Sequence, residues 1–146
     1  FKLIKKGIYV NPGGKKLEKP ATYVGNTVYM IDKILQSNAS HGQVYYLADY
    51  PEYSIQEWAN SITNYLGKNP PVTIPKFLVN GLAKIGDLLK FTRLHPDPPL
   101  STFRLNNILS SASYNIAKTS SIVGDLPFDL DTSVGLTLNW MNKQIK

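Results

Sequence analysis

The 146-residue chain fits one domain. It is 42% hydrophobic and only 18% charged, which is enough apolar material for a buried core and too little charge for a disordered tail. The absence of cysteine excludes a disulfide scaffold, a thiolate metal site and a cysteine nucleophile. The net charge of +6 sits mostly in residues 1–20, where six lysines face one acid, Glu18.

A basic stretch suits an anionic partner or simple solvation. No nucleic-acid module follows it, so nucleic acid is not an expected partner. The histidines, His41 and His95, stand far apart, and neither has a partner at metal-ligand spacing. No apolar run approaches the roughly 20 residues of a membrane span, and the N-terminus has no signal-peptide core. The expectation is a cytoplasmic globular piece with no membrane partner. Opening at Phe1, in what reads as the middle of an element, suggests a piece of a longer protein, although ordinary processing would give the same start.

Ile8-Tyr9-Val10 reads as a short strand that runs into a turn at Asn11-Pro12-Gly13-Gly14. Asn26 is placed to N-cap a helix whose apolar stripe is Met30, Ile31, Ile34 and Leu35. Val44 to Ala48 forms a compact apolar run of the kind found in a strand buried on both faces. Ser54-x-x-Glu57 is a capping box, followed by Ile55, Trp58, Ala59, Ile62, Tyr65 and Leu66 on one face, with Gly67 as the stop. After Pro70-Pro71, Pro75 opens a helix with Leu78, Leu82, Ile85 and Leu89 at helical spacing. His95 to Pro99 is a proline-rich loop, and Ser101 caps a short helix through Leu105, Ile108 and Leu109. Tyr114-Asn115-Ile116 reads as extended. Ser120 to Val123 suggests one helical turn ending at Gly124, and a last helix runs from about Asp131 to Ile145.

The order of these segments resembles the C-terminal, substrate-binding half of the extended short-chain dehydrogenases/reductases, the sugar-nucleotide epimerases and dehydratases. Three stretches carry the resemblance: Lys19 to Val28 with Tyr23-Val24-Gly25-Asn26, then Gly42 to Asp49 with the Ser54-capped helix after it, then Tyr114 to Trp140. Asn26 and Asn115 stand where the family usually has Asp, Thr132-Ser133 replaces Glu-Gly, and Lys19 stands where many members carry Arg. The resemblance implies an α/β piece, residues 1–146. It would be a mostly helical substrate-binding portion with a few short strands, completing a Rossmann-type NAD(P)-binding fold whose N-terminal half is absent.

The family's glycine-rich turn and catalytic Tyr-x-x-x-Lys pair lie in that other half. Tyr29-x-x-x-Lys33 and Tyr114-x-x-x-Lys118 match the spacing, but no glycine-rich turn precedes the first and the second belongs to the terminal motif. No catalytic, cofactor-binding or metal residue is therefore expected here. NAD or NADP belongs to the parent enzyme and not to this piece alone.

For substrate binding the candidates are Arg104, Lys19 and Tyr9. Arg104 precedes Lys118 by the spacing at which relatives place a diphosphate-binding Arg, and a guanidinium forks onto two phosphate oxygens. Lys19 supplies a point charge for phosphate, and Tyr9 either lines the substrate or packs. Lys15 and Lys16 read as solvated, His95 as a loop residue, and Trp58 and Trp140 as core. The implied partners are a nucleoside diphosphate sugar, the missing Rossmann half and a possible second copy of the chain. The alternatives are a stand-alone binding module and a reductase relative acting on a steroid- or flavonoid-type substrate.

Overall fold

The computed structural model describes residues 1–13, 17–94, 96–98 and 100–144. Gly14 of the expected turn, Lys15, Lys16, His95, Pro99 and the expected helix end at Ile145 lie outside the described residues. Helices dominate: α1 (Lys2–Lys5), α2 (Val24–Gln36), α3 (Ile55–Tyr65), α4 (Lys76–Phe91), α5 (Thr102–Leu109), α6 (Ala117–Val123) and α7 (Leu130–Gln144). Two short strands, β1 (Asn11–Pro12) and β2 (Thr73–Ile74), pair in parallel with Asn11 opposite Thr73 and Pro12 opposite Ile74. This mostly helical chain with its small parallel sheet is compatible with an α/β fragment.

Two clusters hold the fold. In the first, Ile4 of α1, Ala59 and Ile62 of α3, and Val134 and Leu138 of α7 close a core, with Trp58, Tyr9, Leu66 and Leu130 packed against it. Full burial of a Val, Leu or Ile contributes about 1.5–3 kcal/mol, so these few side chains fix the α3–α7 pairing. The second cluster joins α4 to α5 through Val79, Ala83 and Leu105. Gly86 lets the two segments touch, since a Cβ there would lie 1.8 Å from the Leu100 carbonyl oxygen.

The local signals for α3 hold in full. Ser54 Oγ accepts from the Glu57 N–H while the Glu57 carboxylate accepts from the Ser54 N–H, and Gly67 follows with φ +63°. Ser101 likewise caps α5 by accepting from the Arg104 N–H. Gly124 ends α6 at φ +71°, although that helix begins at Ala117, one turn before the expected start. Asn115 Oδ1 accepts from the Ala117 N–H at its start.

Other expectations are corrected. Ile8-Tyr9-Val10 forms no strand; the ladder falls on the expected turn, where Asn11 N–H reaches the Val72 carbonyl and Gly13 N–H the Ile74 carbonyl. Asn26 is not a cap but lies inside α2, fully buried, and clamps Phe128. Its Nδ2 donates to the Phe128 carbonyl at 2.8 Å and its Oδ1 accepts from the Phe128 N–H at 3.1 Å. Val44 to Ala48 forms no strand, with Val44 77% exposed, and is tied to the fold by the Thr119 hydroxyl on the Tyr46 carbonyl. Ladder groups stabilise a strand only when a neighbouring edge meets them, and no described segment pairs with this one. On α4 the expected stripe of Leu78, Leu82 and Ile85 faces outward, and Val79, Ala83 and Gly86 are buried instead.

Candidate functional site

A cavity of about 870 Å³ is bounded by α1, α3, α7 and the segment from 19 to 24. Its floor is the first core cluster, reached through Ile4, Ala59 and Ile62. The capping box fixes where α3 begins, and the 3.6-residue repeat then turns Ile55, Trp58, Ala59 and Ile62 to the same side. Phe1 meets Trp58 edge to face, with ring centroids 6.5 Å apart. Leu136 and Trp140, one turn apart on α7, form the opposite wall. Trp140 is 61% exposed, so the expectation that both tryptophans are core holds only for Trp58, which packs against the first cluster.

The segment that carries Thr22, Tyr23 and Val24 is held from behind. Asp49 accepts from the Thr22 hydroxyl at 2.9 Å with one oxygen and from the Tyr23 N–H at 3.0 Å with the other. Asn26 holds Phe128, whose ring meets Tyr23 edge to face at 5.3 Å, and a Cβ at Gly25 would collide with both rings. This wall is therefore built by a chain of contacts running from Asp49 to Phe128.

The polar groups around the cavity are few and mostly engaged. Lys19, at the rim, donates to the Asn107 carbonyl at 2.8 Å and to Ser110 Oγ at 2.9 Å. Tyr9 lines the cavity with its ring, while its hydroxyl is buried without a hydrogen-bond partner among the described residues. Burial pushes the Tyr9 phenol above its ordinary range. Neither a carboxylate nor a histidine lines the cavity among the described residues. The geometry suits binding of a bulky apolar group by shape and desolvation, with no nucleophile–base pair in place.

The expected substrate residues do not converge. Lys19 and Tyr9 meet at this cavity, whereas Arg104 on α5 is absent from its lining. The Arg104 guanidinium donates to the Asp97 carboxylate and to the Pro98 carbonyl, with its side chain 42% exposed. Tyr29 and Lys33 lie together on α2 as a cation–ring pair, and Lys118 sits over the Tyr45 ring while donating to Gln43. Thr22, Leu136 and Trp140 also line the cavity, beyond the residues the sequence offers for the site. The i, i+4 spacing of Leu136 and Trp140 was the one signal that pointed to a shared face. Among the described residues no cluster of three His, Asp or Glu side chains is arranged to hold a metal. No glycine-rich turn between a strand and a helix cradles a dinucleotide there either. No described helix is long and apolar enough to cross a membrane.

No family model matches the chain, and no solved structure matches it. The chain is 30% identical over 140 residues to a sterol-4-alpha-carboxylate 3-dehydrogenase (decarboxylating) of Candida albicans. The match covers 85% of this chain and 38% of that protein, so the chain spans well under half the length of its relative. The likeness supports a distant relationship to the short-chain dehydrogenase/reductase superfamily.

Proposed function

We propose that this chain is the substrate-binding portion of an NAD(P)-dependent oxidoreductase and that its cavity receives a bulky, apolar, sterol-like ring system. The observation that carries this reading is the cavity itself: about 870 Å³ walled by Trp58, Trp140, Tyr9, Tyr23, Ile55 and Leu136. Such a volume lies within the range of small-molecule sites, and its walls reward apolar burial rather than charge. The relative named for a sterol carboxylate points the same way. In this reading the dinucleotide and the groups that move hydride and proton belong to a Rossmann half of the same protein. Residues 1–146 hold the substrate against that half.

The nucleoside diphosphate sugar, the substrate to which the family resemblance first leads, makes a different demand. A diphosphate would have to draw Arg104 away from Asp97 and the Pro98 carbonyl, or recruit Lys19 from Asn107 and Ser110. Two substitutions separate the readings. With a steroid such as pregnenolone as the probe, Trp58→Ala weakens binding about tenfold, as removal of a central aromatic anchor does, and Arg104→Ala leaves it unchanged. Loss of UDP-glucose binding in Arg104→Ala, with steroid binding absent from the parent chain, would instead establish the diphosphate reading.

A further inference from the structure

Two threonines, Thr22 and Thr137, stand among the apolar side chains that line the cavity. A hydroxyl has one proton to donate and two lone pairs that accept. The bonds it already makes therefore decide which polar group of a ligand it can still meet.

At Thr22 the proton is committed. Asp49 is buried, 7% exposed, and a carboxylate only accepts. Its Oδ2 accepts from the Tyr23 N–H at 3.0 Å, which leaves Oδ1 to accept from the Thr22 hydroxyl at 2.9 Å. A bond to a carboxylate is roughly twice as strong as one between neutral groups, so it wins over the Tyr23 carbonyl, 3.3 Å from the same hydroxyl. Thr27 Oγ1 lies 3.1 Å from Thr22 Oγ1 and has the Tyr23 carbonyl, at 3.2 Å, to receive its own proton. Even with Thr27 donating to it instead, Thr22 keeps one lone pair open and no proton. Thr22 is exposed, as a group that meets a ligand must be. Thr137 repeats the pattern: its hydroxyl donates to the Ser133 carbonyl one turn back on α7, at 2.7 Å, so its oxygen too is left as an acceptor.

We propose that the cavity selects an apolar ring system bearing a hydroxyl group, with Thr22 accepting the hydrogen bond of that hydroxyl and Asp49 as the positioning residue that fixes Thr22 as an acceptor. A ketone at the same place would set oxygen against oxygen and leave both without a donor. The proposal rests on the cavity reading given above and adds to it the polar group that the ligand carries.

The test is binding of three steroids with one skeleton, the alcohol androstanol, its ketone androstanone and the hydrocarbon androstane, to the 146-residue chain, followed by tryptophan emission. The alcohol is expected to bind about tenfold tighter than the ketone. Thr22→Val removes that preference, and Thr22→Ser, which keeps the hydroxyl, retains it. Asp49→Asn separates positioning from support. Its amide oxygen stays on the Tyr23 N–H and its Nδ2 donates to Thr22, which releases the Thr22 proton, so the ketone gains on the alcohol by about fivefold. A purely structural Asp49 would weaken alcohol and ketone alike and leave their ratio unchanged. Circular dichroism confirms that each variant is folded. Equal binding of the three steroids by the parent overturns the proposal and leaves the cavity reading standing. So does a folded Thr22→Val or Asp49→Asn chain that keeps the parent ratio. Binding of none of the three overturns both.

Discussion

Asn26 offers the sharpest test of how the cavity wall is built. Its amide faces the Phe128 backbone with a donor to the carbonyl and an acceptor for the N–H, at 2.8 and 3.1 Å, and the side chain is fully buried. Asn26→Leu keeps the approximate volume and removes both bonds, leaving the Phe128 N–H and carbonyl facing an apolar group. Each buried polar group left unpaired costs about 1–3 kcal/mol, so the variant loses about 2–6 kcal/mol. Asn26→Asp is more informative. Near neutral pH its carboxylate would face the Phe128 carbonyl oxygen without a donor, and burial disfavours the charged form, so its folded pKa is raised. A protonated carboxyl restores the donor. The deficit of Asn26→Asp is therefore small below the unfolded value of about 3.9 and opens as pH rises from there through the raised folded value. Urea melts of the parent and both variants, taken from pH 3 to pH 8, measure it. If Asn26→Asp and the parent keep a constant difference across that range, the Asn26–Phe128 clamp does not carry the load argued for it.

Three further outcomes rest on other contacts in the fold. Tyr9→Phe removes a buried hydroxyl that has no partner among the described residues, so stability rises by about 1 kcal/mol in denaturant melts. Because burial raises the Tyr9 phenol, the parent loses stability as pH climbs above 10.0 towards the raised value; Tyr9→Phe blunts that loss, and the raised phenols of Tyr50 and Tyr53 account for what is left. Gly86→Ala drives a Cβ into the Leu100 carbonyl and separates α4 from α5, with an expected loss of about 3 kcal/mol or more; unchanged melting would show that the helices meet differently. Asp129 accepts hydrogen bonds from Thr132, which hold its carboxyl below the ordinary range. Its contribution is present above the usual carboxylate value of 3.8 and is lost as pH falls through the lowered one. Asp129→Ala should be no more acid-sensitive than the parent, and should be less stable near neutral pH by circular dichroism melts.

The legible parts of the fold were those settled within one turn of chain. Ser54 with Glu57, Gly67, Ser101 and Gly124 each satisfy or end a helix with local groups, so the residue type alone carries the message. What depends on a distant partner is not carried by local residue type. Val44 to Ala48 has the composition of an interior strand, yet strand pairing is a property of two segments. Asn26 has the chemistry of a cap, yet its partner is Phe128, 102 residues away. On α4, Leu78, Leu82 and Ile85 look like a core stripe, but Gly86 and Ala83 allow closer approach to α5, and close packing selects the small face. The candidate site was legible in part. Lys19 and Tyr9 meet at the cavity, but no local pattern places Arg104 beside Asp97, because that contact depends on the loop geometry before α5.

The central claim is that the cavity binds an apolar ring system, and Trp58 and Trp140, both in its lining, report on it directly. Titrating the chain with pregnenolone and, separately, with UDP-glucose while following tryptophan emission is the most direct measurement. Saturable quenching by the steroid with no response to UDP-glucose is the predicted result, whereas saturable binding of UDP-glucose without steroid binding would contradict the account.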